Sequence, residues 1–513
     1  MTTRPDIVLL ILDTQRADRL SCYGCPFETS PHLDRLAADS TFFHFAVSAA
    51  HWTVPSHTSM FTGLYPSSHN TLHASSVVPT SLSTLAERLV DKGYYTAAYC
   101  NNPLVGVVNN GLRRGFLDFF NYSGLFTSRP NQAGIHPNLL DRYRQLFKRT
   151  LAAGVTAMQD IFARSDTLLD FSFSPLMVPL WQTALSFKGN TARSLNDVAR
   201  LHVERKGVDV DQPIFSFINL MGTHMPYSPP QHFVQRFAPH VQHDKEAQRY
   251  LHRFNSDVFG WLAPLSTSIT EKNKLTLDGM YNAEVAHQDE QVGTFLNKLR
   301  TSGRLDRTLL IVTADHGEHL GEKQFIGHSM SSYNELIHVP LMIRDPSGDF
   351  PRSTTVDSFV STRRIFNTIL QAAGIASPAE QPLTLAHNAA SDPDGGIVFS
   401  EAIPPSNVLN LLRRHVPQLV GERGLHLTRR AVFSGKHKLI KAGESQLELY
   451  NVLDDPNEEI NLCDILPEEA DLLQEQLQAF VNHTTIVPPT ADRAADYDDP
   501  QVRRRLRDLG YLE

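Results

Sequence analysis

Four groups of residues in this sequence could together hold a metal ion and attack an ester. They are Asp13, Thr53, the pair Asp315-His316, and the pair His224 and His328. Carboxylate oxygens and imidazole nitrogens are ligands that divalent ions accept. A threonine hydroxyl beside such an ion loses its proton more easily and becomes a nucleophile. Histidines on the opposite side could bind the oxygens of a tetrahedral anion or protonate a leaving group.

Each of these residues also has a purely structural interpretation. An aspartate at a strand end often caps a helix, and a lone histidine is more often a core or surface residue than a ligand. The stretch from Thr53 to Gly63 has Pro55 near its start and a glycine at its end, which is typical of a short helix. Taken alone, Thr53 is better explained as the cap of that helix. The helix N-terminus would nevertheless present N–H groups to an anion.

The elements that would position these residues alternate between strands and helices. Apolar runs predict strands at residues 7–12, 94–100, 214–220, 309–313 and 339–343, and amphipathic patterns predict helices at 30–37, 81–92, 280–299 and 363–373. This order predicts an α/β fold with a doubly wound, mostly parallel sheet flanked by helices. Ligands of such sheets bind at the carboxyl ends of the strands. Asp13, His224 and Asp315-His316 are therefore expected to meet at one edge.

The chain is predicted to divide into two parts. Residues 1–390 form a catalytic α/β domain, with an insertion at about 120–210 that we expect to be largely helical and to shape the substrate entrance. A joint rich in proline and glycine follows at 391–396. Residues 397–513 contain four short strand-like segments and a helical pattern from 467 to 481, so they predict a smaller C-terminal α+β subdomain.

Composition excludes several classes of protein. The 513 residues carry a formal charge of −8, which gives no reason to expect nucleic acid or an anionic membrane surface as a partner. Of the four cysteines, Cys22 and Cys25 have CxxC spacing without a second such pair, so reduced thiols are expected and a redox role is the alternative. We find no signal peptide and no apolar run long enough for a membrane span, so we expect a cytoplasmic protein. The sequence is compatible with a homo-oligomer.

The sequence resembles the sulfatases, within the alkaline phosphatase superfamily. The similarity extends over nearly the whole chain apart from the insertion. The motifs that carry it are Leu12-Asp13-Thr14-Gln15-Arg16-Ala17-Asp18, Ser30-Pro31-His32-Leu33-Asp34-Arg35-Leu36-Ala37, Pro55-Ser56-His57, Thr62-Gly63-Leu64-Tyr65-Pro66, His224-Met225-Pro226-Tyr227, Asp315-His316-Gly317-Glu318, Val339-Pro340-Leu341, Glu448-Leu449-Tyr450-Asn451 and Leu509-Gly510-Tyr511-Leu512.

The sequence departs from the sulfatase pattern at four positions. Thr53 stands where sulfatases carry the cysteine or serine that is converted to formylglycine, and oxidation of a threonine would give a ketone. Formylglycine is therefore not expected. His57 replaces the arginine of the same motif, and Thr14 replaces a second aspartate. Asp315-His316 replaces an Asp-Asn pair.

The resemblance implies a particular ligand set and mechanism. Asp13, Thr53, Asp315 and His316 match the one-metal arrangement of superfamily relatives that use a threonine nucleophile. Relatives with two zinc ions carry an aspartate where this chain has Leu220, so one divalent ion is expected: calcium, manganese or zinc. Thr53 would be the nucleophile. His224 and His328 would act in catalysis and, with His57, bind the substrate.

The leading hypothesis is a metal-dependent hydrolase of small-molecule sulfate or phosphate esters. A threonine nucleophile favours a phosphoester or a phosphodiester as the substrate. Two alternatives remain from the sequence. One is a transferase that passes the phospho or sulfo group to an alcohol, and the other is a catalytically inactive, sulfatase-like binding protein.

Overall fold

A computed structural model describes residues 4–106, 108–122, 188–256, 264–328, 330–386 and 394–488. Most of the predicted insertion and the motif at 509–512 lie outside these residues. The strands, in chain order, are β1 (Asp6–Leu12), β2 (Thr41–Val47), β3 (Tyr95–Cys100), β4 (Asp118–Asn121), β5 (Ile214–Leu220), β6 (Thr308–Thr313), β7 (His319–Leu320), β8 (Ile326–Gly327), β9 (His338–Arg344), β10 (Thr354–Ser361), β11 (Val398–Ala402), β12 (Arg429–Ser434), β13 (His437–Ala442) and β14 (Gln446–Asn451).

The α-helices flank these strands. They span Pro31–Ala38, Thr53–Thr62, Pro66–His69, Leu85–Val90, Pro103–Gly106, Thr191–Glu204, Gln231–Phe237, Lys245–Ser256, Glu271–Thr301, Asn334–Ile337, Ile365–Ala372, Ser406–His415, Pro417–Glu422 and Pro467–His483. None of the helices in the described part of the chain is long and apolar enough to cross a membrane.

The main sheet has eight strands in the order β10-β2-β9-β6-β1-β5-β3-β4. Strand β1 lies near the centre and pairs in parallel with β5 on one side and β6 on the other. Strand β9 runs antiparallel to its neighbours β2 and β6, so the sheet is mixed but mostly parallel. These findings confirm the predicted fold class.

Both faces of β1 are buried, as its continuous apolar sequence requires. Val8, Leu10 and Leu12 point into a core that they share with the helix Glu271–Thr301. Ile7, Leu9 and Ile11 point the other way, into a core that also contains residues of the helices Thr53–Thr62 and Ile365–Ala372. Helices on both sides therefore fix the sheet whose carboxyl edge carries the candidate site.

A second sheet follows in the chain, with the antiparallel order β11-β12-β13-β14. The helix Pro467–His483 covers one face through Leu473 and Leu477. The other face packs against residues of the main sheet, including Val47 and Phe359. A buried ion pair of Lys438 and Glu458 lies at this contact, with Nζ 2.5 Å from Oε1.

The predicted helices differ from the structure mainly at the ends of three ranges. The helix expected at 81–92 spans Leu85–Val90, because Thr84 and Glu87 form a capping box that sets its start. The helix expected at 280–299 begins at Glu271, where the Thr270 hydroxyl accepts from the backbone N–H of Asn273. The pattern at 363–373 resolves into a short 3-10 turn followed by Ile365–Ala372.

Candidate metal and active site

Asp13, Asp315 and His316 meet at the carboxyl edge of the main sheet. Their possible ligand atoms all lie within 4.8 Å of one another, and all three residues are buried. This proximity follows from the strand order. β1 and β6 are paired neighbours whose last partners are Ile11 and Thr313, so the residues two positions further along each strand are adjacent.

The two oxygens of the Asp13 carboxylate have different environments. Oδ2 accepts hydrogen bonds from the side-chain amides of Asn102 (2.7 Å) and Asn219 (3.0 Å). Oδ1 is buried and has no hydrogen-bond partner among the described residues. A buried carboxylate oxygen normally has a partner. Oδ1 is therefore the oxygen that can serve as a ligand for a cation.

The two oxygens of the Asp315 carboxylate also have different environments. Oδ1 accepts from the backbone N–H groups of His316 (3.0 Å) and Thr14 (3.2 Å). Oδ2 is buried without a hydrogen-bond partner in the described part of the chain. Burial and then the charge of Asp13 raise the pKa of Asp315 well above its usual value. A divalent cation between the two carboxylates would remove this repulsion.

Thr14 adopts a strained backbone conformation to make its contact with Asp315. Its φ angle is 60°, which is rare for a β-branched residue. The turn is held by the hydroxyl of Tyr281, which donates to the Thr14 carbonyl at 2.6 Å. Such strain is typical of functional sites, where the surrounding structure maintains it.

The ring of His316 is oriented so that Nε2 faces the two aspartates. Nδ1 lies 2.9 Å from the Gly317 carbonyl oxygen, which only accepts, so Nδ1 carries the proton. Nε2 lies 3.4 Å from Oδ2 of Asp315. Burial, followed by the nearby His328, lowers the pKa of His316 well below its usual value. His316 is thus a neutral imidazole with the tautomer that a metal ligand needs.

Thr53 is the first residue of the helix Thr53–Thr62, after the extended Trp52. Its Oγ1 lies 3.3 Å from Nε2 of His316, so the hydroxyl is part of the cluster. Ser56, one turn later, donates to the backbone carbonyl of Asp315 at 2.7 Å and fastens the helix to this loop. The helix ends at Thr62 and is followed by Gly63, whose φ of 75° is one that glycine adopts easily.

His57 lies beneath the first turn of this helix and is fully buried. Its Nδ1 is 2.8 Å from the Thr53 carbonyl oxygen, and its Nε2 is 3.3 Å from the amide nitrogen of Asn219. Burial lowers the pKa of His57, which agrees with a neutral ring that donates through Nδ1 and accepts through Nε2. Nδ1 also lies 3.5 Å from Oδ2 of Asp315, so both ring nitrogens meet protein groups.

His224 and His328 lie side by side next to His316. The ring centroids of His224 and His328 are 5.1 Å apart, and those of His316 and His328 are 4.6 Å apart. His328 Nδ1 lies 2.7 Å from Oε1 of the buried Glu318. Burial and then the neighbouring His328 lower the pKa of His224. The structure thus brings together the candidate site residues, which are Asp13, Thr53, Asp315, His316, His224 and His328.

Sequence reasoning assigned no role to several polar residues at this edge. Asn219 lies in the fully buried strand β5, and Asn102 follows β3. A polar residue inside an otherwise apolar strand was the available signal for Asn219. Lys188, which donates to the Gly222 carbonyl (2.8 Å) and to Glu284 (2.6 Å), could not be found in this way because it lies within the predicted insertion.

The described strands and helices define an α/β protein whose mixed, mostly parallel sheet carries an acidic and imidazole cluster at its carboxyl edge. The sulfatase family model matches residues 5–375. The chain therefore belongs to the sulfatase family, as its motifs predicted, and is a hydrolase of sulfuric or phosphoric esters.

Known proteins resemble this chain at low sequence identity. The uncharacterized sulfatase YidJ of Escherichia coli (strain K12) is 22% identical over 476 residues, which is 90% of this chain and 83% of that protein. An arylsulfatase of Clostridium perfringens is 23% identical over 73% of this chain and 76% of its own length. The crystal structure of a phosphonate monoester hydrolase of Agrobacterium radiobacter superposes with a TM-score of 0.66 at 19% identity, covering 94% of this chain and 96% of that one. The last comparison supports the fold.

Proposed function

We propose that this protein hydrolyses phosphoesters or phosphodiesters with Thr53 as the nucleophile and one divalent ion as the cofactor. The observation that carries the proposal is the 3.3 Å contact between Thr53 Oγ1 and His316 Nε2 inside the Asp13, Asp315 and His316 cluster. The Thr53 hydroxyl therefore lies next to the residues that would hold the cation, and a bound cation can activate a neighbouring hydroxyl as a nucleophile.

The residues present fit a divalent cation. Asp13 Oδ1 and Asp315 Oδ2 are buried oxygens without hydrogen-bond partners in the described residues, and His316 presents a neutral nitrogen beside them. When bound, the ion supplies positive charge to the reacting group and lowers the pKa of a neighbouring hydroxyl. A histidine among the ligands shifts the preference from calcium toward manganese or zinc.

The protein groups can be assigned to the steps of a double displacement. Thr53 Oγ loses its proton to the solvent and forms a bond to phosphorus while the bond to the leaving-group oxygen breaks. His224 contacts a non-reacting oxygen of the substrate, and His328 gives a proton to the leaving oxygen. His328 is assigned this proton because its Nδ1 is held 2.7 Å from Oε1 of Glu318, which leaves Nε2 to face the leaving group. Water then hydrolyses the Thr53 ester and restores the hydroxyl.

Formylglycine has no place in this mechanism because residue 53 is a threonine. At the start of its helix, the unmodified Thr53 side chain already contacts His316. The related phosphonate monoester hydrolase and arylsulfatase extend the set of esters worth testing to phosphonates and aryl sulfates.

The test is a panel of an aryl phosphate, a phosphodiester, a phosphonate ester and an aryl sulfate, each with calcium, manganese and zinc. We expect a phosphorus ester to be turned over faster than the aryl sulfate, with manganese or zinc as the ion. Faster turnover of the aryl sulfate would contradict the assignment. When glycerol is added, we expect water to remain the main acceptor of the phosphoryl group. A glycerol ester as the main product would identify a transferase.

We also propose that residues 1–390 are the catalytic domain and 397–513 a C-terminal subdomain. The support is the change from a mostly parallel sheet to an antiparallel sheet with its own helix, Pro467–His483. Limited proteolysis that cuts first between 387 and 397 would agree with this division, and first cuts inside β11–β14 would contradict it.

A further inference from the structure

We propose that His57 and Asn219 are positioning residues that join the nucleophile turn to the metal ligand Asp13. Together with Asn102, they set the affinity of the site for its cation. The proposal rests on the proposed function in one respect, since it takes Asp13 as a ligand. It gives His57 a different role from the substrate contact expected from the sequence.

The first step is the pair of hydrogen bonds to Asp13 Oδ2. A carboxylate oxygen only accepts, so the nitrogen of each amide must face it. Asn102 approaches at 2.7 Å and Asn219 at 3.0 Å, and all three side chains are buried. With Oδ2 held by two donors, the carboxylate cannot rotate without breaking both contacts. This arrangement keeps Oδ1 turned toward Asp315 and His316.

The second step connects Asn219 to the nucleophile helix. The amide nitrogen of Asn219 has two hydrogens, one for Asp13 and one for Nε2 of His57 at 3.3 Å. His57 Nδ1 then donates to the backbone carbonyl of Thr53 at 2.8 Å. Three hydrogen bonds therefore run from the turn that carries the nucleophile to the carboxylate that faces the cation.

The third step is the location of His57 itself. The side chain has no exposed surface, and it packs edge-on against the rings of Phe61 and Phe217. A ring in this environment, with both nitrogens used inside the protein, does not meet a substrate.

Partners of metal-binding carboxylates orient them, and loss of such a partner typically weakens metal binding by about 10- to 100-fold. The proposal therefore predicts changes in metal affinity that do not depend on turnover. Asn101 offers a matched control, since it neighbours Asn102 but donates to the Lys188 carbonyl (3.0 Å) and to Thr191 (3.2 Å).

The experiment is calorimetric titration of the metal-free full-length protein with Mn²⁺ and with Zn²⁺. Asn219→Ala and Asn102→Ala should each raise the dissociation constant by about 10- to 100-fold, while Asn101→Ala stays within about twofold. Circular dichroism checks that each variant is folded. Wild-type affinity in folded Asn219→Ala and Asn102→Ala would overturn the proposal.

A double-mutant cycle tests whether His57 acts through Asn219. If it does, His57→Phe should weaken binding in the wild-type background but add nothing to Asn219→Ala. Fully additive losses would overturn the role of His57 in the chain of hydrogen bonds. If these effects occur in a protein that hydrolyses no ester in the panel, the proposed function fails while the positioning role stands.

Discussion

His328 is held in the candidate site by Glu318. Nδ1 of the histidine lies 2.7 Å from Oε1 of the glutamate, whose side chain is fully buried. This contact places the proton of the neutral ring on Nδ1 and fixes which nitrogen can face a substrate. Glu318 follows the proposed ligand pair Asp315-His316 by two residues, so one short segment supplies both the proposed cation ligands and the residue that contacts Nδ1 of His328.

Glu318→Gln should impair the transfer of a proton to the leaving group. The amide keeps the size of the side chain but removes the carboxylate that holds Nδ1 of His328. General acid catalysis contributes about 10²- to 10⁴-fold, and we expect a loss of about 10- to 100-fold for a poorly leaving alcohol. A nitrophenol needs no proton and should lose much less. The measurement is kcat/KM over a series of leaving groups.

The exposed Glu444→Gln variant is the control for this series. Equal losses for all leaving groups in Glu318→Gln would show that the glutamate only supports the fold, and would remove the proton transfer from His328.

Asp315→Asn and His316→Ala should each strip the bound metal and abolish turnover. Each change removes one of three ligand groups that lie within 4.8 Å of one another. Mass spectrometry of the dialysed protein measures the metal content, and circular dichroism measures the fold. Asp471→Asn, at an exposed position, is the matched control. A fully active variant without metal would refute the metal site.

The stability of the protein should fall as the pH is lowered below about 6.5, in part through His319. Burial lowers the pKa of His319 to about 3, and its Nε2 lies 2.6 Å from the Ser331 hydroxyl. The pKa of His319 is lower in the folded protein than in the unfolded chain. Its contribution to stability is therefore complete above the unfolded pKa, and it is lost as the pH falls toward the folded pKa. Each pH unit in this window costs about 1.4 kcal/mol.

His319→Gln should therefore show a shallower decrease in the free energy of unfolding between pH 6.5 and 4 than the wild type. The measurement is chemical denaturation at a series of pH values. His243→Gln, which replaces an exposed histidine, is the control and should keep the wild-type slope. The same slope in both variants would show that His319 is not held neutral by its burial.

The sequence predicted the centre of the fold because its physical signals are local. Residues 214–220 are mostly apolar, and the strand Ile214–Leu220 has these same bounds. The edge strand β10 was not predicted, since Thr354–Ser361 is largely exposed in its first half and lacks the apolar pattern of a buried strand. Its pairing with β2 is a tertiary contact between distant segments.

The site could be predicted in part for the same reason. Asp13 and Asp315 follow strands whose carboxyl ends must share an edge, so their proximity was expected from topology. The position of His57 beneath Thr53 depends on the side-chain direction within a helix, and its contact with Asn219 joins residues 162 positions apart. The periodicity of the sequence does not predict such a contact between distant residues.

Thr53→Ser gives the first indication of whether the hydroxyl of residue 53 reacts. Serine keeps the oxygen that lies 3.3 Å from His316 and loses only a methyl group, so much of the activity should survive. The same turnover assay measures it. An inactive but folded and metal-bound serine variant would show that the methyl group, and not the hydroxyl alone, is required.

The most direct measurement is the turnover of a phosphodiester by metal-loaded Thr53→Ala. We expect a loss on the order of 10³-fold or more, because the covalent step disappears with the hydroxyl. Thr58→Ala is the control, since it removes a buried threonine hydroxyl that donates a hydrogen bond to the Val54 carbonyl within the same helix. Near-normal turnover by folded Thr53→Ala would contradict the assignment of Thr53 as the nucleophile.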